Sequence, residues 1–118
     1  MSKIPCEVTL KHIGINAGNS ETAEQIAALF AAVFGLEYRP GNSSVFAGSI
    51  IEVTRRPFPG QNGHIALGVD TIEAVEEYFL SIGHPFVEST IKRNSAGQIN
   101  AVYVDGDFGG FAVHLLKN

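Results

Sequence analysis

The sequence predicts an α+β fold: two βαβββ modules that build one curved mixed sheet around a pocket, with the helices outside. Three observations predict it. Apolar residues at strand spacing and at helical spacing succeed one another in the same order in each half of the chain. Two near copies, Lys11-His12-Ile13-Gly14-Ile15 and Gly63-His64-Ile65-Ala66-Leu67, each stand at the head of a half. His12 and His64 lie 52 residues apart, while Gly35 and Gly83, each placed to stop a helix, lie 48 apart, so the halves have nearly equal length.

Taken in order, residues 8–15 alternate apolar and polar side chains and read as a strand. Asn16 to Ser20 reads as a loop. Thr22 with Gln25 forms a capping box for a helix whose apolar face is Ile26, Leu29, Phe30 and Val33, and Gly35 ends it in the left-handed region that glycine tolerates. Three short strands follow at 36–39, 43–47 and 49–54, the first two separated by the turn Pro40-Gly41-Asn42. The loop 55–63 holds two prolines and two glycines, which rules out regular structure. The order then repeats: a strand at 64–69, a helix capped by Asp70 with Glu73, carrying Ile72, Val75, Phe79 and Ile82 and stopped by Gly83, then strands at 85–91, 99–104 and 111–116.

The 118 residues are 45% hydrophobic and 17% charged, which suits one domain over 1–118 with modules at about 8–54 and 64–116. Neither module buries enough surface to stand alone, so they must pack together. Eight Lys and Arg against 12 Asp and Glu exclude the electrostatic footprint of a nucleic-acid binder. No apolar run approaches a membrane span and the N-terminus lacks a secretory signal, so the expected location is the cytoplasm. The single cysteine, Cys6, excludes an internal disulfide and a thiolate zinc cluster.

Strand alternation puts His12 and Gly14 on one face and Ile13 and Ile15 on the other; His64 and Ala66 stand likewise opposite Ile65 and Leu67. If the last strand of each half is equivalent, Glu52 and His114 join the same concave face. His12, Glu52, His64 and His114 then form four matched positions of a duplicated unit, and such a donor set suits a divalent metal with borderline preferences. With four protein ligands, an octahedral ion keeps two adjacent positions for water or for two substrate oxygens. Glu52 is the candidate general base, Tyr103 shares its strand face with Ala101 and could assist, and Arg55 and Arg56 could hold an anionic substrate.

At Lys11-His12-Ile13-Gly14-Ile15, Ile51-Glu52-Val53-Thr54, Gly63-His64-Ile65-Ala66-Leu67 and Asp107-Phe108-Gly109-Gly110-Phe111 the chain resembles the vicinal oxygen chelate superfamily. That group includes glyoxalase I, fosfomycin resistance proteins, methylmalonyl-CoA epimerase, extradiol dioxygenases and bleomycin-binding proteins. The resemblance covers almost the whole chain, and the subgroup it suggests is the glyoxalase-like domain that follows a keto-deoxy-phosphogluconate aldolase in some bacteria. It implies that His12, Glu52 and His64 are metal ligands, with Ni, Zn, Fe, Mn or Co as the ion. His114 stands where glyoxalase I enzymes carry a glutamate that is both ligand and base, a departure that argues against ordinary glyoxalase chemistry. The resemblance also implies a homodimer.

Two classes of function follow. One is a metal-dependent lyase or isomerase acting on a small oxo-acid, hydroxy-ketone or dicarbonyl through Lewis-acid stabilisation of an enolate-like charge. The other is a small-molecule binding protein of the bleomycin-resistance type, with Phe46, Phe58, Phe86, Phe108 and Phe111 as candidate pocket walls, or an accessory partner of a sugar-acid aldolase.

Overall fold

A computed structural model describes residues 3–118. In chain order the elements are β1 (Thr9–Asn16), α1 (Ser20–Phe34), β2 (Tyr38–Pro40), β3 (Ser44–Ala47), β4 (Ile51–Thr54), β5 (Gly63–Val69), α2 (Ile72–Ile82), a 3-10 turn (Glu88–Thr90), β6 (Lys92–Arg93), β7 (Ile99–Phe108) and β8 (Phe111–Lys117). All eight strands join one mixed sheet in the order β2-β3-β4-β1-β5-β8-β7-β6. The order is palindromic by module: β1 and β5 meet antiparallel at the centre, with β4 parallel to β1 and β8 parallel to β5.

The register carries that symmetry down to single residues. His12 pairs with Ala66 and Gly14 with His64 across the central seam. Glu52 pairs with Gly14 on one side, and His114 with Ala66 on the other. Across the next strand Phe46 faces Glu52, and Tyr103 faces His114. A pseudo-twofold axis through the seam therefore exchanges His12 with His64, Gly14 with Ala66, Phe46 with Tyr103 and Glu52 with His114.

Both helices pack on the opposite face from the histidines, because the alternate residues of β1, β3, β4, β5, β7 and β8 on that face are aliphatic. Ala23 and Ala27 of α1 pack on Val45 and Val53 of the sheet, with Ile15 and Ile51 against them. Ile72 and Val75 of α2 pack with Val69, Val102, Val104 and Leu115 of the sheet, with Leu67 and Val113 against them. Each core backs one module and leaves the other face of the sheet to polar groups.

Four local expectations are corrected. Asn19 caps α1, its carboxamide oxygen accepting from the Thr22 amide, so Thr22 lies inside the helix. Thr71 begins α2 without a side-chain cap, because the Glu73 carboxylate accepts instead from the Ile99 amide at 2.7 Å and the Asp70 carboxylate from Asn118. The stretch 85–91 is not a continuous strand: Phe86 makes an isolated bridge to Val104, and a 3-10 turn follows. The apolar stripe expected on α1 is also turned. Ala23 and Ala27 are its fully buried residues, while Leu29 and Val33 are 64% and 63% exposed. The two helix stops hold as read, with Gly35 and Gly83 at φ 67° and 72°.

Candidate metal centre

Three of the four matched side chains converge above the seam. His12 Nε2 lies 3.2 Å from His64 Nε2 and 3.2 Å from Glu52 Oε1, and His64 Nε2 lies 3.0 Å from the same oxygen. Each arrives from a different strand, β1, β5 and β4, so the cluster exists only because the modules pair edge to edge.

The His64 ring is set by what lies on either side of it. A Cβ on Gly14 would overlap the ring, so the glycine lets the imidazole sink against the sheet to 1% exposure. Phe58 stacks on it with centroids 6.0 Å apart and planes 18° from parallel. Asn16 fixes that phenylalanine: its carboxamide donates to the Phe58 and Gly60 carbonyls at 3.1 and 2.7 Å and accepts from Thr54 at 3.0 Å. Opposite, His12 stands over Ala66, with the Phe46 ring edge-on at 5.8 Å.

Glu52 has both oxygens engaged. Ser44 donates to Oε2 at 2.8 Å, while Oε1 faces the two histidines. Burial alone would raise this carboxyl, but hydrogen bonds from His12, His64 and Ser44 outweigh it and hold it well below the usual carboxylate range. It is an ionised acceptor at neutral pH.

The donor set fits a divalent cation. With bonds of about 2.1 Å, ligands at right angles lie about 3.0 Å apart and ligands at the tetrahedral angle about 3.4 Å apart. The three separations of 3.0–3.2 Å fall in that interval. Two imidazoles and one carboxylate with the remaining directions open is the donor pattern of catalytic zinc and of non-haem iron. His64 faces the cluster through Nε2, and its other ring nitrogen, Nδ1, is buried without a hydrogen-bond partner among the described residues.

His114 lies outside this cluster. Among the described residues the group within ligand reach is His12, Glu52 and His64. The His114 ring instead stacks on Tyr103, centroids 4.2 Å apart and planes 5° from parallel, with its centroid 6.1 Å from that of His64. Burial, with the other two histidines, pushes its pKa down to about 4, so it is uncharged at neutral pH. Burial likewise raises the Tyr103 phenol, with the Glu52 charge adding to it, and keeps the hydroxyl protonated.

The arginines lie elsewhere. Arg55 donates to Glu24 of α1 at 2.7 Å and to the Gly41 carbonyl, on the helix side of the sheet, because odd-numbered residues of β4 point that way. Arg56 is exposed beyond the strand end. Sequence reasoning missed Ser44 and Asn16, and offered Phe58 only as a candidate wall of a binding pocket. Of these, Asn16 was the most accessible, since an amide directly after a histidine strand is a ready anchor for a proline-rich loop.

No protein-family model and no curated protein sequence matches the chain. Solved structures do match it. A methylmalonyl-CoA epimerase in complex with methylmalonyl-CoA superposes with a TM-score of 0.64 at 16% identity over 94% of each chain. A single-substitution variant of the Streptomyces coelicolor epimerase in complex with 2-nitronate-propionyl-CoA gives 0.64 at 16% identity, over 95% of this chain and 99% of that one. The Mycobacterium tuberculosis epimerase gives 0.58 at 18% identity, over 92% and 87%. With its duplicated module, palindromic sheet and central seam, the chain has the fold of the vicinal oxygen chelate superfamily.

Proposed function

We propose that the protein is a divalent-metal-dependent isomerase or lyase acting on a small substrate that presents two neighbouring oxygens. The observation that carries this is the triangle of His12 Nε2, Glu52 Oε1 and His64 Nε2, with sides of 3.0–3.2 Å. His12, Glu52 and His64 would hold the ion. The ion would supply Lewis-acid neutralisation of negative charge on the substrate oxygens. Ser44 fixes the carboxylate orientation, and Phe58 covers His64 and keeps water from one side of the site.

Glu52 is a poor base in this setting, since both oxygens are engaged and its proton affinity is low. Burial lowers the proton affinity of His114 as well, so what recommends it as the holder of a moving proton is its place: it lines the cavity beside the cluster and is not drawn into it. A carbon-bound proton next to a carbonyl would pass to a His114 ring nitrogen and return from it, while the Tyr103 ring holds the imidazole plane in place. The isomerase side of the reading is supported by the shared fold with epimerases. Elemental analysis of protein purified without added metal tests the whole proposal. About one ion per chain is expected, falling to none in His64→Ala; an unchanged content in the variant would sink it.

The expected homodimer has a surface suited to it. From Ile26 to Phe34 the helix α1 carries no polar side chain, and Leu29, Val33 and Phe34 are exposed. An uncharged patch can meet its own copy about a twofold axis without repulsion. Light scattering should find a dimer, and Leu29→Glu combined with Val33→Glu should make it monomeric. A monomeric wild type at micromolar concentration would remove the proposal.

A further inference from the structure

Beside the cluster lies a cavity of about 560 Å³, within the range that holds small-molecule ligands. His114 and Tyr103 line it on the sheet side, Phe58 comes from the inter-module loop, Ile91 follows the 3-10 turn and Lys92 opens β6. Lys92 is the one charged side chain among the lining residues. Its place follows from register. Lys92 pairs with Ala101, which is two residues from Tyr103 on β7 and so on the same sheet face, and Tyr103 pairs with His114. The carboxylates of Asp105 and Asp107 line a neighbouring cavity of about 330 Å³ that shares Tyr103, so a second anion is unwelcome on that side.

We infer that Lys92 is the anion-recognition residue of this site, and that the ligand is an elongated small acid with its paired oxygens at the His12–Glu52–His64 end and a terminal carboxylate or phosphate at Lys92. The inference rests on the metal-site reading for one end of the ligand and on the cavity alone for the other. Strand β6 lies three strands from β5, about 14 Å across the sheet, and the register sets Lys92 level with Gly68, four residues along β5 from His64, so the backbone span is roughly 19 Å before the lysine stem shortens it. A ligand reaching both ends therefore needs several atoms between its oxygen pair and its far anion. The walls beside that middle are the Phe58 ring and Ile91, so the middle is apolar or aromatic. A lysine suits the far end because a flexible ammonium accepts either a carboxylate or a phosphate without demanding a planar fork. The arginine pair, placed outside the site, leaves the task to Lys92.

The test is calorimetric binding to the metal-loaded protein of 2-oxo monocarboxylic acids, 2-oxo dicarboxylic acids of matched chain length, and ω-phosphorylated 2-oxo acids. A dicarboxylate or phosphorylated acid of suitable length should bind at least tenfold more tightly than its monocarboxylate. Lys92→Gln should remove that preference and Lys92→Glu should reverse it, with metal content and monocarboxylate affinity unchanged. Whichever of the two far anions binds better names the source. Equal affinities of Lys92→Gln and wild type for every acid overturn the inference, as does an absence of binding by all of them. Metal content separates the two failures: a protein that holds its ion but ignores Lys92 loses only this inference, whereas one that holds no ion loses the function proposal, and a persistent Lys92-dependent preference would then leave the anion site standing.

Discussion

Glu52 and His114 occupy the same backbone position in the two modules, each paired to the central strand of its half and each faced by an aromatic residue on the next strand. Their side chains nonetheless do different things. Glu52 is drawn inward by two histidines and held from behind by Ser44, whereas His114 lies flat on Tyr103 beside an open cavity. The same contrast runs through the other exchanged pairs. His64 sinks against Gly14, while His12, whose partner across the seam is Ala66, keeps 15% of its side-chain surface accessible. Duplication supplies a symmetric frame, and single side chains differ within it: Glu52 joins the two histidines of the candidate metal cluster, and His114 lines the cavity beside it.

Breaking that division where it matters most should give the largest effect. Glu52→Gln should lower metal affinity by more than the roughly 10–100-fold that loss of an outer hydrogen-bond partner costs, while His114→Gln leaves it unchanged. Equal losses in the two variants, read by competition with a chelating dye, would show His114 to be a fourth ligand.

The glycine–alanine pair is the next handle. Gly14→Ala drives a Cβ into the His64 ring and should cost about 1–3 kcal/mol in urea unfolding together with metal affinity. Ala66→Gly, its mate across the seam, should cost only about 0.5–1 kcal/mol, the ordinary penalty of glycine in a strand. Similar values for the two would refute the account of why His64 is the deeper ring.

The smallest effect concerns protons. Burial lowers the His114 pKa from 6.5 to about 4, so the unfolded chain binds a proton there before the folded chain does. The contribution is present above about pH 6.5 and is lost as the pH falls towards 4; the depressed Glu52 adds a further loss below about 4.5. The urea midpoint of metal-free protein should therefore fall between pH 7 and 5, and His114→Gln should flatten that slope. A wild type as flat as the variant would mean that the His114 ring is hydrated rather than buried.

Much of the frame was legible because it depends on periodicity. The histidine strands, both helices and their glycine stops follow from spacing alone, and the Glu52 side of the cluster follows from strand alternation once the duplication is seen. Local competition hid the rest. Thr22 and Asp70 have the chemistry of caps, but Asn19 stands one turn earlier at α1, and Glu73 serves the Ile99 amide better than its own helix end. Leu29 and Val33 have core spacing, yet the close approach of α1 to the sheet selects the small Ala23 and Ala27. Pattern alone could not separate His114 from the three clustered side chains, because its ring stacks on Tyr103 of another strand.

The placement of the three donors on both sides of the β1–β5 seam ties two properties together. His12 and Glu52 precede the inter-module loop and His64 follows it, so an ion held by all three is a clasp between halves that otherwise meet through strand pairing. Opening the seam and releasing the ion are then one event viewed from two ends, and the affinity of the site is also a measure of how firmly the halves cohere. A chain cut within the loop should reassemble from its two pieces more tightly when the ion is present than when it is withheld.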